Sequence, residues 1–176
     1  MKEERSGADA RHSEEKEVKR TISCLVRSRA GVLADMAAEF KAHGIDILGI
    51  SSGVTPDMEQ TRVVITLDTD NGEIEEIIAA IARMDFVIEI DDLTRKEFVD
   101  RELVLLKVAT EPESMGQLMQ VFEVFRANVV GMGGDSITVE MSGDEDRVEG
   151  LIKMLRPYGI LSMARTGKIA LKRGDE

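Results

Sequence analysis

The sequence predicts an α+β chain made of two tandem ferredoxin-like βαββαβ modules. Three observations carry the prediction. Runs rich in β-branched residues alternate with amphipathic helical stretches in the order strand, helix, strand, strand, helix, strand. That order occurs twice, over about 20–96 and 100–172, either side of the charged joint RKEFVD at 95–100. The 176 residues, 43% hydrophobic and 32% charged, suit two small packed domains.

The elements follow in order. RTISCLVR (20–27) reads as a strand. A helix follows in which Leu33, Met36, Ala37 and Phe40 recur at helical spacing and form the expected inward face. IDILGISSGVT (45–55) and TRVVITLDT (61–69) are strands joined by PDMEQ, whose Pro56 and Asp57 favour a turn. NGEIEEIIAAIAR (71–83) is a helix with Ile74, Ile77, Ile78 and Ile81 inward, capped by Asn71, with acidic residues in its first turns where the helix dipole favours them. FVIEIDDLT (86–94) completes the first module. In the second, ELVLLKVAT (102–110) is a strand, and Met115, Leu118, Met119, Phe122 and Phe125 line a helix. NVVGM (128–132) and SITVEMSG (136–143) flank a Gly-Gly-Asp turn. Asp144 opens a helix with Val148, Leu151, Ile152 and Leu155 inward, and Pro157 and Gly159 close it. ILSMART and KIALKR finish the chain, and residues 1–19 read as a solvated, disordered tail. Each small module exposes one sheet face and its strand edges, and self-pairing across a two-fold axis is the simplest way to cover them.

Charge and composition exclude several functions. The net charge is -11, and the first twenty residues carry six basic and six acidic side chains, so the acidic excess lies on the folded part. Such a surface repels nucleic acid and anionic lipid. No apolar run is long enough to span a bilayer, and the N-terminal stretch lacks the apolar core of a signal peptide, so the expected location is the cytoplasm. The single cysteine, Cys24, sits in an apolar strand and reads as a small packed hydrophobe. Aromatics are only 3% and ten methionines are present, so aliphatic side chains must fill the core.

A search for catalytic chemistry finds little. The two histidines are His12, in the tail, and His43, at a helix end. No metal-ligand spacing, cysteine pair or Walker loop occurs. Asp91-Asp92 and Asp144-Glu145-Asp146 could meet a metal, but their places at a strand end and a helix start read as caps and solvated faces. The expectation is no metal and no catalytic residue. The corner at Gly31 offers a different chemistry. A helix N-terminus presents unpaired N–H groups and a positive dipole end, which suit a carboxylate. Gly31 permits close approach, and Val32 and Leu33 supply an apolar wall, although an ordinary strand-to-helix corner has the same pattern.

At these residues the sequence resembles a known family. AGVLADMAAEFKAHGIDI is similar to the glycine-loop-and-helix signature of ACT domains, which sense amino acids. DRELVLLKV (100–108), FRANVV (125–130), GDEDRVEGLIKMLRPYGI (143–160) and ARTGKIALKRG (164–174) resemble the small regulatory subunits of acetolactate synthase. The resemblance runs from about Arg20 to Gly174. It implies an N-terminal ACT domain over 20–96 and a C-terminal ferredoxin-like, ACT-like domain over 100–172. It implies a homodimer without catalysis of its own, bound to a large catalytic subunit that uses thiamine diphosphate, Mg²⁺ and FAD to condense pyruvate with pyruvate or 2-oxobutyrate. The small subunit raises that activity and confers feedback inhibition in branched-chain amino acid biosynthesis, by valine and in some members leucine or isoleucine. The resemblance places the effector between two ACT domains, touching Ser28, Arg29, Ala30, Gly31, Val32 and Leu33 of one chain and Asp46 and Ile47 of the other. The family often has Asn where this chain has Ser28 and Asp46, and Asp46 only accepts hydrogen bonds and adds a negative charge. That substitution predicts altered valine sensitivity. Two alternatives stay open at this point, a stand-alone ACT-type sensor of another enzyme or regulator and an enzyme on a ferredoxin-like fold.

Overall fold

The computed structural model describes residues 19–69 and 71–174. The tail reading of residues 1–18 and the capping role expected of the Asn71 side chain lie outside the described residues. The first module contains β1 (Lys19–Arg27), α1 (Val32–Ala42), β2 (Asp46–Val54), β3 (Gln60–Asp68), α2 (Asn71–Ala82) and β4 (Val87–Asp92). The second contains β5 (Phe98–Ala109), α3 (Met115–Phe125), β6 (Asn128–Met132), β7 (Ser136–Gly143), α4 (Glu145–Leu155), β8 (Ile160–Arg165) and β9 (Ile169–Lys172). Both sheets are antiparallel, with strand orders β2-β3-β1-β4 and β6-β7-β5-β8, so the two βαββαβ modules are present.

Each core lies between its sheet and its two helices. Ile22, Cys24 and Val26 of β1, Val63, Ile65 and Leu67 of β3, and Ile74, Ile77 and Ile81 of α2 form the first. Val104, Leu106 and Val108 of β5 meet Leu118 and Phe122 of α3 and Val148, Leu151 and Leu155 of α4 in the second. Strand positions alternate and helical positions recur every three to four residues, as burial on one face requires. Each fully buried Ile, Leu or Phe contributes roughly 1.5–3 kcal/mol relative to exposure. Cys24 is fully buried and its thiol is pushed up to about 12 by that burial, so it packs as a hydrophobe.

Three local expectations need correction. The inward face of α1 is Val32, Met36 and Phe40, whereas Leu33 is 42% exposed and Ala37 also faces outward. The sheet rotates α1 about its axis, and the apolar stripe was wide enough to allow either face. Lys19, assigned above to the tail, begins β1 and pairs opposite Asp68. The joint 95–100 is not a simple linker. Asp92 caps a short 3-10 turn, Leu93–Arg95, by accepting from the Thr94 N–H, and β5 starts at Phe98 because β9 returns to pair with it. This two-stranded ribbon lies on the outer face of the first sheet, where Ala170 and Phe98 pack on Val64 and Leu93. That sheet face is therefore covered in part by the chain's own C-terminal end.

The acidic clusters work as caps and ion-pair partners. Asp144 caps α4 by accepting from the Arg147 N–H at 2.9 Å. Glu145 is held between Lys19 at 2.7 Å and Lys168 at 2.6 Å. Asp91 meets Lys172 at 2.6 Å and also pairs with Lys96. Among the described residues no group of three or more His, Cys, Asp or Glu side chains is placed to hold a metal ion, and no helix is long and apolar enough to cross a membrane.

Candidate functional site

The corner after β1 opens into a cleft of about 650 Å³. Its walls are the loop and the first turn of α1, with Ser28, Gly31, Val32, Leu33 and Ala34; its floor is Val26, Ser52, Thr61 and Val63. Gly31 begins α1 at φ +91°, a left-handed conformation that L side chains adopt at a cost. The first hydrogen bond of α1 runs from the Asp35 N–H to the Gly31 carbonyl at 2.9 Å, and among the described residues no side chain caps the helix start. The cleft thus combines apolar walls with the donor end of an eleven-residue helix. A small molecule with a carboxylate and a short aliphatic side chain matches both parts.

The loop is pinned from behind. The Ser28 N–H donates to the Glu59 carbonyl at 2.7 Å, and the Ser28 and Thr61 hydroxyls share a hydrogen bond at 2.7 Å. Arg29 lies 4.6 Å over the Phe86 ring and pairs with Asp35 and Asp85, both at 3.3 Å. These exposed pairs are worth at most about 1 kcal/mol each, and they engage the guanidinium with α1 and the residue before Phe86. Ala30 is exposed in the turn and does not line the cleft. The corner brings Ser28, Arg29, Gly31, Val32 and Leu33 together.

Asp46 and Ile47 lie elsewhere. In the sheet register Asp46 stands opposite Asp68, which in turn stands opposite Lys19; Val54 stands opposite Thr61. Eight strand positions, about 26 Å, separate the two ends of β2. One chain alone cannot put Asp46 at its own cleft. Antiparallel pairing of β2 with a second copy about its middle would place the partner copy's first β2 residues beside Ser52–Val54, and Ser52 lines the cleft. Sequence reasoning missed Val26, the last apolar residue of β1, and Ser52, Thr61 and Val63, which the pairing of β3 with β1 and β2 brings under the loop.

The corresponding corner of the second module differs. The segment Thr110–Ser114 reads TEPES, with no glycine and with Glu111 and Glu113 beside the start of α3. Two negative charges there oppose a carboxylate ligand.

The fold and the glycine corner define the class: a tandem βαββαβ chain of the ACT type. A family model described as the ACT domain matches residues 20–95, and one described as the small subunit of acetolactate synthase matches 101–174. A probable acetolactate synthase small subunit of Archaeoglobus fulgidus is 35% identical over 159 residues, covering 90% of this chain and 99% of that protein. The acetolactate synthase small subunit of Bacillus subtilis is 32% identical over 160 residues, 90% of this chain and 93% of that one. The crystal structure of the small subunit from Thermotoga maritima superposes with a TM-score of 0.79 at 27% identity, covering 90% of this chain and 99% of that chain. The chain belongs to the acetolactate synthase small-subunit family, whose members are regulatory rather than catalytic and are partners of a large catalytic subunit.

Proposed function

We propose that this chain is a homodimer that activates the large subunit of acetolactate synthase and makes it sensitive to a branched-chain amino acid, valine. The observation that carries the effector reading is the cleft itself, an uncapped helix start at Gly31 facing apolar walls. The helix end takes the carboxylate, and Val32, Leu33 and Val63 take the side chain. Support for the dimer comes from β2, an edge strand with Leu48 50% and Ile50 38% exposed. In this arrangement the partner copy's Asp46 and Ile47 close the site, and Asp46 is suited to the effector's ammonium through a charge-assisted bond. Thiamine diphosphate, Mg²⁺ and FAD belong, in this reading, to the large subunit, and the complex is cytoplasmic.

The mechanism is linkage. An effector shared by two chains favours the assembly in which its site is complete, and it changes activity only through its differential affinity for active and inhibited forms. The test is acetolactate formation by the cognate large subunit, alone, with this chain, and with rising valine. Stimulation followed by valine inhibition is expected, and Asp46→Asn should weaken the valine response. Absence of stimulation by a folded chain removes the regulatory-partner reading. A valine response unchanged by Asp46→Asn removes Asp46 from the site.

A further inference from the structure

Residues 166–168 touch both modules at once. On leaving β8, Thr166 bonds to β5: its N–H donates to the Leu103 carbonyl at 3.1 Å, and its Oγ1 accepts from the Leu103 N–H at 3.0 Å. Two residues later the Lys168 carbonyl accepts from the Ser51 hydroxyl of β2 at 2.5 Å. Between them Gly167 holds φ +76°, and a Cβ there would stand 3.3 Å from the Ile50 carbonyl oxygen and 3.4 Å from its nitrogen. Glycine is demanded twice, by the backbone conformation and by the approach to β2. The Lys168 ammonium is tied to Glu145 at the start of α4, which also holds Lys19 of β1.

The strand under this turn is the strand the site uses. β2 carries Asp46 and Ile47 at one end and Ser52 on the cleft floor at the other, with Ile50 and Ser51 between them. Among the described strands β2 pairs in the sheet with β3 alone, so it has one strand neighbour to hold it in place. We propose that the Thr166–Gly167–Lys168 turn is the coupling element that passes effector occupancy at β2 to the C-terminal module; this rests on the effector reading above. A ligand held between the cleft and the partner copy's Asp46 biases the position of β2. Gly167 leaves no slack over Ile50, so β2 and the turn move together. Thr166 hands the displacement to Leu103 and hence to β5, the strand paired with β7, β8 and β9. Interfaces of this kind switch between discrete packings, and the coupling they carry is reciprocal.

The experiment uses the full chain, its cognate large subunit and L-valine. Ser51→Ala removes the bond to Lys168 without touching the cleft lining, and Gly167→Ala forces the turn off Ile50. Both variants are expected to keep their circular dichroism, to stimulate the large subunit and to bind L-valine in calorimetry nearly as the unaltered chain does. The fold-inhibition at saturating valine should drop by about fivefold or more, the low end of ordinary allosteric coupling. If Gly167→Ala fails to fold, Ser51→Ala decides alone. Full inhibition retained by the folded variants overturns the coupling role while the effector reading stands. An unaltered chain that neither binds nor responds to L-valine overturns the effector reading, and this inference with it.

Discussion

Replacing Gly31 separates what the backbone requires from what the ligand requires. Gly31 holds φ +91°, yet an added Cβ would meet nothing within 4 Å. Gly31→Ala therefore introduces backbone strain alone, roughly 1–2 kcal/mol. A stiffer unfolded chain offsets about 0.4–1 kcal/mol of it. The net loss of about 1 kcal/mol lowers the melting midpoint of a module of this size by about 4–8 °C. Gly31→Asp carries a smaller strain, because Asp tolerates the left-handed region. Its carboxylate also gains about 0.3–1 kcal/mol at the positive end of α1. The Asp variant should melt at or above the Ala variant. Effector binding should rank them the other way. For an effector carboxylate held at the start of α1, two like charges at an assumed separation of about 5 Å repel by roughly 1–3 kcal/mol at an effective dielectric of about 20–80. Valine affinity should fall by about 5- to 150-fold in Gly31→Asp and far less in Gly31→Ala. Thermal melts and valine calorimetry measure the two rankings. Valine affinity untouched by Gly31→Asp would refute the placement of the effector's carboxylate at the start of α1.

Other expectations concern pH, the thiol and the dimer. Burial opposes the charged form of Asp91, but hydrogen bonds from Lys172 and Lys96 outweigh it and hold the carboxyl well below its usual range. Glu145 is likewise lowered, by Lys168 and Lys19 acting against burial. Because both folded values are depressed, their contribution is full above the ordinary carboxylate range, about pH 4, and is lost as pH falls through the folded values. The urea midpoint should therefore drop with acidification, and the slope should flatten in Asp91→Asn; an equally steep slope in that variant would count against the assignment. Cys24, buried and with its thiol pushed up to about 12, should resist a thiol reagent until the module unfolds, so rapid labelling of the native chain would contradict its packing role. Leu48→Lys, at a half-exposed edge position, should keep the secondary structure and shift sedimentation from dimer to monomer, and an undisturbed dimer would rule out β2 as the seam.

Much of this was legible in the residues because local physics decided it. The strand at 20–27 is rich in β-branched residues, that at 136–143 alternates, α4 announces its cap at Asp144 and its inward stripe at Val148, Leu151, Ile152 and Leu155, and Gly31 marks a backbone turn. Those features depend on neighbours within one turn or one pleat. The face of α1 was less legible, because Leu33 and Ala37 fit a stripe as well as Val32 and Phe40 do, and only the sheet beneath chooses between them. The start of β5 at Phe98 was illegible, since its partner in pairing lies some seventy residues later at Lys172.

By itself, then, the sequence determined the two βαββαβ modules, the glycine corner and the family to which the chain belongs, because periodicity, capping and turn chemistry are written within short windows. Only the tertiary structure decided that Ser52, Thr61 and Val63 lie under that corner, that Asp46 stands at the far end of its strand, and that Gly167 rests on Ile50. Strand register and the docking of one module on the other set these positions, and both arise from contacts between residues far apart in the chain.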